Sequence, residues 1–168
     1  MSRYNRITRE CSLSQLHPAL SQAIREYFQT HQFGDADTET CSCCETISEK
    51  RNTGRLASIL DGDRDTIYHL AILLTQDMLI WARSGDRSGT VVTWAKFKAI
   101  RVRVFVSGRS KNIKLEISGF MADSKEYVRG SLELGSEMAA QRFCEKVEKT
   151  VLRENPPAER KFPRWMGG

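Results

Sequence analysis

The chain has 168 residues, 40% of them hydrophobic and 28% charged, which is the mixture of one globular domain. Such a chain buries roughly 70% of its unfolded surface, so its stability demands neither a metal nor a disulfide, and five cysteines, an odd number, do not suggest a disulfide framework. A net charge of +5 permits contact with nucleic acid or an anionic membrane, but acidic residues interleave with basic ones throughout, as on a solvated surface with a mild positive excess.

Residues 1–16 are polar and mixed, with no basic start followed by an apolar core, so no secretory signal is visible and a cytoplasmic location is expected. A helix is predicted over HPALSQAIREYFQTHQFG: Pro18 suits the first helical position, and Leu20, Ala23, Ile24, Tyr27 and Phe28 make one apolar stripe. Gly34 is the expected stop. From residue 37 the period changes to two. DTETCSCCETISEKR is rich in Thr, Ser and Cys and reads as a strand.

DGDRD at 61–65 reads as a turn, and TIYHLAILLTQDMLIWAR as two strands joined at Thr75, Gln76 and Asp77. The apolar run LAILL is too short to span a bilayer. VVTWAKFKAIRVRVFV continues the strand pattern, slipping near Phe97–Ala99 as at a bulge or short turn. Within it, Ile100, Val102, Val104 and Val106 share one face and Arg101 and Arg103 the other. IKLEI and EYVRGSLEL are two further strands. The last helix is capped by Ser136, buries Ala140, Phe143, Cys144, Val147 and Val151, and stops at Pro156 and Pro157. The division expected is an N-terminal arm and helix at 1–36, a β domain with its C-terminal helix at 37–155, and a flexible basic tail at 156–168.

One helix, six or seven antiparallel strands and a final helix define an α+β fold, a strongly curved sheet or barrel capped by the C-terminal helix. In this order, in HLAILLTQDMLIWAR (69–83) and in SEMAAQRFCEKVEKTV, the chain resembles the pleckstrin-homology-like superfamily, including its GRAM-type members, over about residues 37–153. The resemblance implies a PH-like barrel with an added N-terminal helix. It also implies basic loops that can bind phosphate head groups.

The cluster CSCC places Cys41 and Cys43 on one face of a strand and Cys44 on the other, so a single tetrahedral zinc cannot take all three without a bulge. Further ligands would come from Cys11, His17, His31, His69 or Cys144. Small thiols packed in a strand are expected first, a zinc site second and a thiol sensor third; Cys43-Cys44 is not the C-x-x-C of redox enzymes. DGDRD is no calcium loop, because its sixth and twelfth positions hold Thr66 and Ile72 where Gly and Glu are needed.

The candidate binding residues are the basic loops and stripe: Arg87 in SGDRSG, Arg109 and Lys111 in SGRSKN, and Arg101 and Arg103 with Lys96 and Lys98 before them. Aromatics for base stacking are sparse there, which disfavours nucleic acid. The tail adds Trp165, an aromatic for a partner, and Gly167 and Gly168, a terminal pair of the kind conjugated modifiers carry. No phosphate-binding, dinucleotide, zinc-protease or nucleophile-elbow motif occurs. The expectation is therefore a non-enzymatic binding or scaffold module for a protein partner or an acidic lipid head group. The alternative is a zinc-stabilised regulatory or nucleic-acid-binding protein using Cys41, Cys43 and Cys44.

Overall fold

Period-two alternation builds two antiparallel sheets, and three- and four-residue spacing covers them with helices. The computed structural model describes residues 4–51, 65–108, 111–122 and 126–157. The first sheet runs in chain order through β1 (Tyr4–Glu10), β2 (Ser42–Lys50), β3 (Ile67–Leu74), β4 (Met78–Gly85) and β5 (Gly89–Lys96). The second holds β6 (Ile100–Val106), β7 (Ile113–Phe120) and β8 (Tyr127–Glu133). The link from β1 to β2 carries α1 (Pro18–His31) and the single turn α2 (Ala36–Glu39), and α3 (Met138–Glu154) follows β8. The α+β class, the antiparallel pairing and both expected helices are present. The strands form two sheets and not a closed barrel.

The slip in the strand pattern is a 3-10 turn over Phe97–Ala99, where the chain leaves the first sheet for the second. Phe97 is buried there and Gly119 pairs with Ile100 just beyond it.

The molecule has three layers, and the first sheet is the middle one. On one of its faces, Leu70, Ile72, Leu74, Leu79 and Ala95 join Ile100, Val102, Leu115 and Ile117 of the second sheet and the whole predicted stripe of α3, from Ala140 to Val151. On the other, Ala71, Leu73, Ile80, Ala82 and Trp94 meet Leu20, Ile24 and Phe28 of α1. β3 is thus covered on both sides, which is why LAILL is apolar without alternation. Each buried Leu, Ile or Phe contributes roughly 1.5–3 kcal/mol relative to exposure.

Four local expectations are corrected. The polar stretch read as an arm contains β1, paired with β2 from Tyr4 opposite Lys50 to Glu10 opposite Cys44. Its inward residues are Tyr4, Arg6 and Thr8, so its buried face is not an apolar one. β2 begins at Ser42, because Asp35 caps α2 by accepting the Thr38 N–H at 3.0 Å, and Cys41 precedes the strand. α1 ends in the left-handed Gln32, ahead of Gly34, with the Phe33 N–H donating to the Phe28 carbonyl at 2.9 Å. α3 is capped at Glu137, one residue after Ser136.

Candidate functional site

Alternation decides which residues the second sheet turns outward. In β6, Ile100 and Val102 are buried and Arg101 and Arg103 exposed; in β7, Ile113, Leu115 and Ile117 are buried, which leaves Lys114, Glu116 and Ser118 outside. The register then assembles rows across the strands, Arg101–Ser118–Arg129 and Arg103–Glu116–Ser131. Two strand spacings separate Arg101 from Arg129, roughly 10 Å between their backbones. These rows, with Lys114 and Tyr127, line a groove of about 480 Å³.

Charge in the groove is unevenly compensated. Lys114 Nζ and Glu116 Oε1 lie 3.5 Å apart, whereas Arg101, Arg103 and Arg129 have no ion-pair partner among the described residues. Aromatic side chains stand at both ends. Phe120 and Tyr127 meet edge to face with ring centroids 5.9 Å apart, and Phe105 lies in the row beyond Arg103; all three are exposed. Arginine forks beside exposed rings suit carboxylates or phosphates carried on a partly apolar ligand.

The basic loops stand elsewhere. Arg87 is exposed in the hairpin between β4 and β5 and does not line the groove. The backbone N–H groups of Arg87 and Ser88 donate to Asp65 Oδ1 at 2.8 and 3.0 Å, so this loop's donors already hold an internal carboxylate. Burial pushes the Asp65 carboxyl up, but those bonds and the Ser88 hydroxyl outweigh it and leave it below its ordinary value. Lys111 is exposed with φ +55° and is also outside the groove. Arg109, Trp165, Gly167 and Gly168 lie outside the described residues.

A smaller cleft of about 240 Å³ opens between the sheets beside Tyr4, Arg6, Tyr68, Arg83 and Glu133. Its cations are engaged: Arg6 pairs with Glu133 and donates to the Tyr68 hydroxyl at 3.2 Å, and Arg83 stacks 4.2 Å over the Tyr68 ring.

The cysteine cluster does not converge. Cys43 lies in the α1 layer, Cys44 in the main core near Cys144, and Cys41 is exposed before the strand. No group of three or more His, Cys, Asp or Glu that could hold a metal ion occurs among the described residues. Burial pushes the Cys44 thiol well up and the Cys144 thiol up to about 12. Cys43, in β2, pairs with Cys11, just after β1; the hydrogen bond between them raises the Cys43 thiol and holds Cys11 below its usual value.

On the same face, the buried Glu45 gathers four donors. Arg9 reaches Oε2 through Nη2 at 2.7 Å and Nε at 3.2 Å, the His17 N–H donates to Oε1 at 3.1 Å, and His69 Nδ1 is 3.0 Å from Oε1. The His17 ring stacks on His69 with centroids 4.2 Å apart. Glu45 therefore ties the entry of α1 to the first sheet. His69, named above as a candidate further zinc ligand, belongs to this tie.

Arg101 and Arg103 were legible from alternation within one strand. Arg129, Lys114 and Tyr127 were not singled out; their signal is the polar face of IKLEI and EYVRGSLEL once the three strands are set in register.

No family model matches the chain, and no curated protein or solved structure matches it. No helix among the described residues is long and apolar enough to cross a membrane.

Proposed function

We propose that the chain is a non-enzymatic binding module of pleckstrin-homology-like type, acting in the cytoplasm, which holds an acidic segment of a protein partner in the groove of its second sheet. Two antiparallel sheets followed by a covering C-terminal helix support the PH-like reading. The observation that carries the function is the set of three arginines without ion-pair partners among the described residues, Arg101, Arg103 and Arg129, around one internally paired Lys114 and Glu116. A polyphosphorylated head group would find Glu116 in the floor of the site. A peptide that mixes acidic and apolar side chains meets both the arginines and the rings of Phe105, Phe120 and Tyr127. The zinc-stabilised alternative requires ligands that this fold sends to opposite faces of β2.

Hydrogen bonds to charged groups contribute about 1.5–3 kcal/mol each, so replacing Arg101 and Arg129 together by Glu is expected to weaken binding of a fluorescent polyglutamate peptide at least about a hundredfold. Wild-type affinity falls with added salt, and Arg87→Glu, outside the groove, stays within about twofold. Both groove positions are exposed, so thermal stability changes by less than about 0.5 kcal/mol. Equal affinity in the double variant overturns the reading. Groove-dependent binding to phosphatidylserine vesicles, with no peptide binding, replaces the protein partner by a lipid.

A further inference from the structure

We propose that Cys11 and Cys43 are a reaction site for low-molecular-weight disulfides, closing to an intramolecular disulfide that joins the residue following β1 to β2. This site is independent of the groove. Glu10 pairs with Cys44, and the next residue continues the ladder, with the Cys11 N–H donating to the Cys43 carbonyl at 3.1 Å. The two residues therefore face each other across neighbouring strands, and their Sγ atoms are 4.0 Å apart. A hydrogen-bonded antiparallel pair sets its Cα atoms about 5.5 Å apart, inside the range of about 4.4–6.8 Å that a disulfide spans. Side-chain rotation alone has to supply an approach of about 2 Å.

Access orders the steps. Cys11 is partly exposed and Cys43 buried beneath α1, so reagent enters at Cys11. Cys44 and Cys144 are both sealed in the main core, and Cys41 is exposed but outside the β1–β2 ladder. With glutathione disulfide as oxidant, the Cys11 thiolate attacks one sulfur, the glutathione S–S bond breaks, and one glutathione leaves as a thiolate that takes up a proton. The Cys43 thiol then gives up its proton and its sulfur attacks Cys11 Sγ, releasing the second glutathione as a thiol. Two protein thiols are oxidised by two electrons, one small disulfide is reduced to two thiols, and the two protons pass from protein to glutathione.

The bond closes a loop that contains α1 and fixes β1, the strand whose Arg6 and Thr8 reach Glu133 and Gly135 at the end of β8. Oxidation therefore ties down a strand that joins the first sheet to the second.

The test is to incubate the native full chain with glutathione disulfide, block free thiols, digest without reduction and locate the linked cysteines by peptide mass and fragment ions, which separate Cys43 from Cys41 and Cys44 on the same peptide. The expected product links the Cys11 and Cys43 peptides and is two hydrogens lighter than the pair, and the oxidised protein unfolds at higher urea than the reduced one. Cys43→Ala is expected to trap glutathione on Cys11. A wild-type chain that retains glutathione on Cys11, that leaves Cys11 unmodified, or that joins Cys43 to Cys41 overturns the proposal. The wild-type map decides by itself if the variant does not fold.

Discussion

Gly119→Ala is expected to destabilise the protein by about 2–6 kcal/mol, the sum of backbone strain and overpacking of about 1–3 kcal/mol each. Gly119 has φ +145°, in a region L side chains rarely adopt, and an added Cβ would sit 2.2 Å from the Ala99 carbonyl oxygen and 2.8 Å from the Ile100 Cα. Both neighbours are backbone at the end of the 3-10 turn, so no side chain can swing aside. The corner between the sheets has to open, and it carries Phe97 and Ile100 of the main core. Urea denaturation followed by tryptophan fluorescence measures the effect. Gly130→Ala, one residue after Arg129 in β8, is the comparison: its Cβ meets nothing within 4 Å, so a change below about 0.5 kcal/mol is expected. Equal midpoints for the two variants would refute the account.

Glu45→Gln is expected to cost about 2–3 kcal/mol at neutral pH. Breaking a fully buried ion pair costs about 3–5 kcal/mol; the Arg9 side chain here is 54% exposed, which lowers the figure, while Glu45 itself is 1% exposed. The amide can still accept from the His17 N–H but loses the charge that Arg9 and His69 face. Burial pushes the Glu45 carboxyl up, yet the bonds from Arg9, the His17 N–H and His69 hold it below its ordinary 4.5. A carboxyl lowered by folding contributes stability that is present above its unfolded value and is lost as pH falls through the folded one. The wild type therefore loses this contribution below about pH 4.5, and the gap between it and Glu45→Gln narrows there. A gap that stays constant from neutral pH to the acid limb would show that Glu45 acts through shape alone.

What could be read from the chain was what repeats within one element. The stripe from Ala140 to Val151 follows from spacing alone, and so does the outward pair Arg101 and Arg103. β1 escaped because a strand is recognised by apolar alternation, and its inward side chains are Tyr4, Arg6 and Thr8. Arg6 and Thr8 are held by partners distant in sequence: Glu133 and Tyr68 for Arg6, Thr46 and Gly135 for Thr8. Parity put Cys43 and Cys44 on opposite faces correctly, but it failed for Cys41, since α2 delays the strand to Ser42. The groove needs register between three strands. A slip of one residue would turn Arg129 to the other face of the sheet, out of its row with Arg101 and Ser118, and nothing local to either hairpin announces that register.

The Thr8 backbone N–H donates to the Glu137 carboxylate at 3.0 Å, and its hydroxyl accepts the Gly135 N–H at 2.8 Å, across 129 and 127 residues of sequence. During synthesis at about 5–20 residues per second, the first strand therefore waits on the order of ten seconds before its last partners leave the ribosome. Until then the nascent chain presents an incompletely satisfied edge, and the final closure is a non-local event of the kind that slows folding. The order of translation thus leaves two hydrogen bonds of Thr8 unmade until residues 135–137 have been synthesised.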